Sequence, residues 1–442
     1  MGPPTDPVAS DDAPPARTGV VVIGGGIIGS SAAFFLARQG IPVVLCEKGV
    51  IGGEQSSRNW GWCRKMGRDP RELPLIIESL RLWREMNEMV GAETGFRTTG
   101  ILYLCDTDAE IARREAWLEH ARQYQLDTRM ISSDEVAALM PGASRPYKAG
   151  LFTPSDGRAE PQKAAPAIAA AARKLGASVL TNCAVRGVET EGGRVTAALT
   201  EKGRIVCDAV ILAGGAWSRL FCGNLGLRLP QLKVRSSVMR TAPLEGPPET
   251  AASSADFAFR KRLDGGYTIS KLSSGVAEIV PDSFRFFGDF LPVFRLERRS
   301  FRLRLGRRFI EEWQTPRRWN PAETSPFESV RTLDPEPVTS FNDEALGALK
   351  KRFPAFAGAR VVQQWAGMID VTPDVVPVIS PVDSVSGFVI ATGFSGHGFG
   401  IGPAAGRLAA QLATGESPIV DPTPFRFSRF TDGSRPRPDA SI

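Results

Sequence analysis

A chain of 442 residues is longer than one ordinary domain requires, so two domains, or one with a large insertion, are expected. With 42% hydrophobic and 23% charged residues it reads as globular rather than disordered or membrane-embedded. The net charge of +6 is small for this length, and no RNA-binding motif accompanies it, so no nucleic-acid partner is expected. Six cysteines (46, 63, 105, 183, 207 and 222) are scattered without a CxxC pair. That spacing argues against a disulfide framework or a zinc site and for a reducing, cytoplasmic compartment; no metal is expected.

The opening MGPPTDPVASDDAPPARTG lacks the basic-then-apolar order of a signal peptide, and residues 1–18 are expected to be a disordered tail. VVVIGGGIIGSSAAFFLA resembles a membrane span in apolarity, but its glycine cluster reads as strand, turn and buried helix. Val20–Ile23 is predicted as a parallel strand, Ile28–Gln39 as a helix closed by Gly40, and Ile41–Cys46 as a second strand. Helical spacing of Ile76, Ile77, Leu80, Trp83 and Met86 predicts a helix over 74–90. Gly100–Cys105 reads as a strand, and Ser132 with Glu135 as a capping box. An alanine-rich helix over 162–174 precedes strands at 178–181, 194–199 and 210–213. Residues 230–350 change character, with more Arg, Pro and Phe and strand-like alternation. The first character returns near Gly387: a strand, GFVIATG, then the loop GFSGHGFGIGP, then a helix over 403–412.

Gly24-Gly25-Gly26-Ile27-Ile28-Gly29 fits GxGxxG between a strand and a helix, and Glu47 ends the next strand. Gly24 permits the tight turn, Gly26 the approach of a pyrophosphate, and Gly29 close packing of helix on strand. The helix N-terminus offers free N–H groups to phosphate, and Glu47 can accept from ribose hydroxyls. The fingerprint serves NAD and FAD alike. A second strand–glycine loop–helix at 387–412 has no task in a plain NAD enzyme, but could aim a helix dipole at a reduced flavin ring.

Four stretches then resemble the D-amino acid oxidase-like (DAO-type) FAD-dependent oxidoreductases, which include sarcosine and glycine oxidases and D-amino acid dehydrogenases. They are VVVIGGGIIG with Glu47, VILAGGAWS (210–218), WAGMIDVTPDVVPVI (365–379) and GFSGHGFGIGP (393–403), in family order across nearly the whole chain. The resemblance implies an α/β plus α+β fold: a Rossmann-type FAD-binding domain with a discontinuous substrate domain built on a mainly antiparallel sheet. The boundaries expected are 19–92, 150–225 and 358–420 for the FAD-binding domain, 93–149 and 226–357 for the substrate domain, and 421–442 for a C-terminal tail. The implied reaction is oxidation of a C–N bond of an amine or amino acid to an imine, by hydride transfer to flavin N5.

The resemblance also implies site residues. Cofactor contacts fall to Gly24, Gly26, Ile27, Ile28 and Gly29, to Glu47 and Lys48, and to Ser56, Ser57 and Arg58 of the 51–65 loop. Further along they fall to Val185, Gly214, Trp217, Gly367, Ser395, Gly396, His397 and Gly398. His397 is expected to act on the flavin and substrate environment as a polar group near the ring, and Asn59, Trp62, Ile369 and Asp370 to reach substrate. Relatives with covalent FAD carry a cysteine where Gly367 stands, so noncovalent FAD is expected.

Two departures stand out. Many relatives place a carboxylate-gripping arginine where this chain has Ile369, and sarcosine-oxidising ones a lysine where it has Gly400. One reading is a substrate that lacks or does not rely on a simple α-carboxylate, with Asp370 receiving a cationic group; the other is that Arg64, Arg235 or Arg240 supplies the anchor. Residues 284–308 carry eight arginines against two acids, interleaved with Phe and Leu. A solvated lid with buried Phe and Leu, a docking face for a partner subunit, and a helix resting on the inner face of a membrane all remain open. So do a dehydrogenase passing electrons to a partner or quinone, and a tRNA-modifying flavoprotein.

Overall fold

The computed structural model describes residues 2–272, 274–297, 301–434 and 437–439. In chain order the elements that frame the central cleft are β1 (Val20–Ile23), α1 (Ile27–Arg38), β2 (Val43–Cys46), α2 (Leu73–Val90), β3 (Ser178–Leu180), β4 (Ala209–Leu212), β5 (Leu232–Thr241), β6 (Val361–Val371), β7 (Val385–Thr392) and α3 (Gly398–Thr414).

The first sheet has nine strands, and its centre runs β7–β4–β1–β2–β3, all parallel. β1, β2 and β4 are buried along their whole length, which is why they read as unbroken apolar runs. The second sheet has ten strands and is mainly antiparallel, parallel only where Ala251–Ser253 lies beside Ile101–Cys105 and Gly275–Ile279 beside Phe301–Leu305. β5 and β6 form its long central ladder, from Leu232 opposite Val371 to Thr241 opposite Val361. The expected α/β plus α+β architecture is therefore present.

Several boundaries move. β6 belongs to the second sheet, so the return to the first sheet comes after Val371 rather than at 358. Ala149–Thr153 also pairs in the second sheet. Residues 2–18, expected as a disordered tail, form an extended strap. Asp6 N–H donates to the Gln162 carbonyl (3.1 Å), Asp11 N–H to that of Val179 (2.8 Å) and Thr18 N–H to that of Val206 (2.9 Å). Asp11 adds an ion pair with Arg173 at 2.6 Å. A Pro/Asp-rich composition predicts no core, and none is needed, because the strap docks through its backbone. The tail beyond 421 is docked too: buried Arg429 pairs with Asp374 at 3.0 Å and donates to the Val376 carbonyl at 2.7 Å.

The arginine-rich stretch is not one amphipathic helix. It folds as helices Pro281–Arg285 and Phe287–Glu297, strand Phe301–Leu305 and helix Arg307–Gln314; Arg298 and Arg299 lie outside the described residues. Phe286, Phe290 and Val293 are buried against Leu232, Val371 and Val375.

Candidate active site

The fingerprint glycines do three separate steric jobs. Gly24 has φ +104°, and a Cβ there would lie 2.5 Å from the Ala213 carbonyl oxygen. A Cβ on Gly29 would lie 1.9 Å from the Gly24 carbonyl oxygen, so only glycine lets α1 start this close to β1. A Cβ on Gly26 would lie 2.9 Å from Ser56 Oγ, narrowing the entrance to the helix N-terminus. Gly26 caps α1 without a side-chain hydrogen bond, which leaves backbone donors facing the cleft. Ser56 Oγ accepts from Ile27 N–H at 2.8 Å. Glu47 accepts from the N–H groups of Gly25 (2.7 Å) and Gly49 (2.8 Å). Burial pushes its carboxyl above the usual range, against the pull of Lys48 and those two donors.

A cleft of about 1200 Å³ runs from Val185, Cys46 and Glu47, past Gly24, Gly26, Ile27, Ile28 and Ser56, to Phe394, Gly396 and Gly398. Gly214, Trp217, Lys48, Asn59 and Asp370 also line it. Its lining fits a flavin dinucleotide, combining a carboxylate beside the glycine turn, helix-end donors and a glycine loop.

The remaining expected residues do other things. Gly29 lies beneath the cleft as packing. Ser57 is buried, its hydroxyl donating to the Glu54 carbonyl. Arg58 points away from the cleft: its guanidinium pairs with Asp334 at 2.9 Å and donates to the Ala366 carbonyl at 2.9 Å. Trp62 is buried edge-on against Trp60 and does not line the cleft. Asn59 lines it, but its side chain bonds its own loop, donating to the Ser56 carbonyl at 2.9 Å and accepting from Gly61 N–H at 2.7 Å. Lys48 reaches Glu54 at 2.7 Å and lies 4.5 Å over the Trp217 ring. Ile369 lies 3.7 Å from the position a Cβ on Gly396 would take. A Cβ on Gly367 would lie 2.1 Å from Gln55 Oε1, the far end of a flexible side chain, so a larger residue there requires Gln55 to swing aside.

Asp370 lines the cleft and also braces its glycine loop through one carboxylate oxygen, Oδ2. Its carboxylate accepts from Gly393 N–H at 2.6 Å and from Gln231 and Thr392 at 3.2 Å each. It thereby holds the glycine loop under β6, and burial pushes its carboxyl up. His397 is diverted. It caps α3, and its Nδ1 lies 2.9 Å from Oε2 of fully buried Glu72. Burial and then Arg68 lower the imidazole's pKa, outweighing Glu72. Burial alone would raise the Glu72 carboxyl, but His397 and Arg68 bring it below the usual range. An ionised Glu72 beside a neutral imidazole places the proton on Nδ1, so the ring donates to Glu72 rather than toward the cleft. The neighbouring glycines line the cleft; His397 orients their loop. Ser395 supports the same loop, its Oγ accepting from Thr372 N–H at 3.3 Å.

Sequence reasoning missed Glu54, Gln55, Gln231 and Glu72. Glu54 and Gln55 sit inside the 51–65 loop and are readable there; Gln231 and Glu72 carry no local signal.

The FAD dependent oxidoreductase profile (DAO) matches residues 19–412. The chain belongs to this family. Its cofactor is FAD, bound noncovalently, and its chemistry is oxidation of a C–N bond in an amine or amino acid. Among solved structures, the L-amino acid deaminase of Proteus myxofaciens, in complex with anthranilate, superposes with a TM-score of 0.94 at 34% identity, covering 97% of each chain. Among curated relatives, glycine oxidase of Pseudomonas putida is 28% identical over 92% of this chain and 97% of its own length. Sarcosine oxidase subunit beta of Rhodobacter capsulatus is 25% identical over 95% of this chain and 90% of its own length.

Proposed function

We propose that the protein oxidises the Cα–N bond of an L-α-amino acid to the imine, which water hydrolyses to a 2-oxo acid and ammonia. The similarity to the Proteus myxofaciens enzyme over nearly all of both chains carries this reading. Bound FAD supplies the two-electron acceptor. The chain's own residues orient and desolvate: Gly396 and Gly398 bring backbone against one end of the cleft, and Asp370 and the His397–Glu72 pair fix that loop. No side chain is required as a general base. The reading is preferred to a carboxylate-free cationic substrate on the strength of that similarity, and Oδ2 of Asp370, one oxygen of the carboxylate considered for a cation, is taken up by Gly393, Gln231 and Thr392.

Anaerobic mixing of the holoenzyme with L- and D-amino acids and with the matching decarboxylated amines tests it. Flavin bleaching by L-amino acids is expected. Bleaching by the amines alone, or by D-isomers alone, refutes it.

A second reading concerns the electron acceptor. Phe284, Phe287, Leu303, Leu305, Ile310 and Trp313 are each more than half exposed, and all belong to the arginine-rich module. We read that surface as a contact with an anionic membrane face, from which electrons pass to a quinone. No helix among the described residues is long and apolar enough to cross a membrane. Flotation with anionic vesicles is expected, and its loss on Phe284→Ser with Trp313→Ser; copurification with a second subunit instead would favour a heteromeric enzyme.

A further inference from the structure

Beneath the N-terminal turn of α3 lies a group of arginines that make no direct ion pair among the described residues. Arg68 is 2% exposed. Its Nε donates to the Arg64 carbonyl at 3.1 Å, and its backbone carbonyl accepts from Trp117 Nε1 at 3.0 Å. Its Nη1 has no hydrogen-bond partner. Its Nη2 lies 3.5 Å from where a Cβ on Gly400 would stand. Arg64 and Arg114 both lie over the Tyr103 ring, at 5.6 and 4.4 Å from its centroid. Among the described residues none of these three arginines forms an ion pair.

The nearest acids are committed elsewhere. Glu72 turns Oε2 to His397, while its buried Oε1 has no hydrogen-bond partner and its charge acts on Arg68 at longer range. Asp156 accepts from the N–H groups of Lys65 (2.8 Å) and Met66 (3.3 Å). Burial and then Arg64 bring the Arg68 guanidinium down to about 10, so it is still charged at neutral pH. Glu72 and Asp156 offset its charge only at longer range, with no direct ion pair, and a buried cation so placed gains from a ligand that brings an anion into contact. The positive end of α3 points the same way, and Gly396 and Gly398, just before Gly400, line the cleft.

We propose that Arg68, supported by Arg64, is the substrate-carboxylate anchor, its guanidinium lying against the N-terminal turn of α3 at Gly400, beside the backbone of Trp62 and Cys63. This rests on the amino-acid reading above. A guanidinium can grip a carboxylate through two parallel hydrogen bonds, and the unpaired Nη1 is available for one of them. The anchor therefore comes from the loop before α2 rather than from β6 or α3. Ile369 and Gly400 are then consistent with an amino-acid substrate instead of evidence against one.

The test uses the FAD-loaded enzyme and two readouts: the shift of the flavin spectrum on adding benzoate, and anaerobic bleaching by an L-amino acid and its decarboxylated amine. Arg68→Met is expected to weaken benzoate and amino-acid binding about 100-fold and to affect the amine far less. Arg68→Lys keeps the charge and the packed stem, and is expected to stay within about tenfold of wild type. Arg64→Met is expected to fall between the two. Wild-type binding of benzoate and amino acid by Arg68→Met, or equal losses for amino acid and amine, overturns the anchor. If Arg68→Met does not retain FAD, Arg68→Lys decides: benzoate binding lost altogether with FAD retained overturns the anchor, and binding within tenfold sustains it. A wild-type flavin that no amino acid bleaches instead defeats the amino-acid reading itself.

Discussion

Glu160→Gln is expected to destabilise the enzyme by about 3–5 kcal/mol, the usual cost of breaking a buried ion pair from one side. Glu160 precedes the helix Pro161–Lys174, which packs beside the first sheet, and its partner Arg260 comes from the second. The carboxylate accepts from Arg260 Nη1 at 2.7 Å, Arg260 Nη2 at 3.0 Å and Leu263 N–H at 2.9 Å. Both side chains are buried. Burial alone would raise the Glu160 carboxyl, but the Arg260 charge and hydrogen bonds overcome it and hold the group at about 2, against an ordinary 4.5. That gap corresponds to about 3 kcal/mol at about 1.36 kcal/mol per unit. Because the folded value is depressed, the stabilisation is complete above pH 4.5 and is lost as pH falls through about 2. Glutamine removes the anion and leaves Arg260 facing Arg158 and Arg262. Thermal release of flavin fluorescence measures the difference: the variant should melt roughly 5 °C lower at pH 7, with the gap narrowing by about half at pH 3. A variant melting within about 1 °C of wild type, or a gap unchanged down to pH 3, refutes the reasoning.

Gly29→Ala places a methyl 1.9 Å from the Gly24 carbonyl oxygen and is expected to abolish FAD retention on gel filtration, with the second sheet still folded by circular dichroism. Asp370→Asn is expected to weaken FAD binding about tenfold by replacing an anionic acceptor at Gly393 N–H, and to affect cationic and neutral substrates equally in bleaching assays. His397 has a folded pKa below its ordinary 6.5, so stability is expected to fall as pH drops below 6.5, where the unfolded chain binds the proton first. His397→Gln should remove that slope in urea titrations between about pH 6.5 and 5. Gly367→Cys is expected to displace the Gln55 side chain, whose Oε1 lies 2.1 Å from the added Cβ position, and to leave a flavin that acid precipitation still releases into the supernatant.

The local chain determined a good deal. Three glycines, an apolar strand and an acid in register specify the dinucleotide turn, because backbone approach and helix-end donors depend on nearest neighbours alone. The element types around the cleft follow from apolar runs and helical spacing for the same reason, and α3 only begins earlier than predicted, directly at Gly398. What the tertiary structure decided is where polar side chains spend their hydrogen bonds. Asp370, Arg58 and His397 look like cofactor or substrate contacts when placed along the chain. Their partners lie 23, 276 and 325 positions away in Gly393, Asp334 and Glu72, and no spacing rule reaches that far. The two terminal segments follow the same logic, since backbone hydrogen bonding and a single buried arginine order chain whose composition offers no core. Arg68 stands at the other extreme: an ordinary charged residue of a loop in the sequence, it becomes a buried, unpaired cation only when α3 and the helix carrying Trp117 close over it.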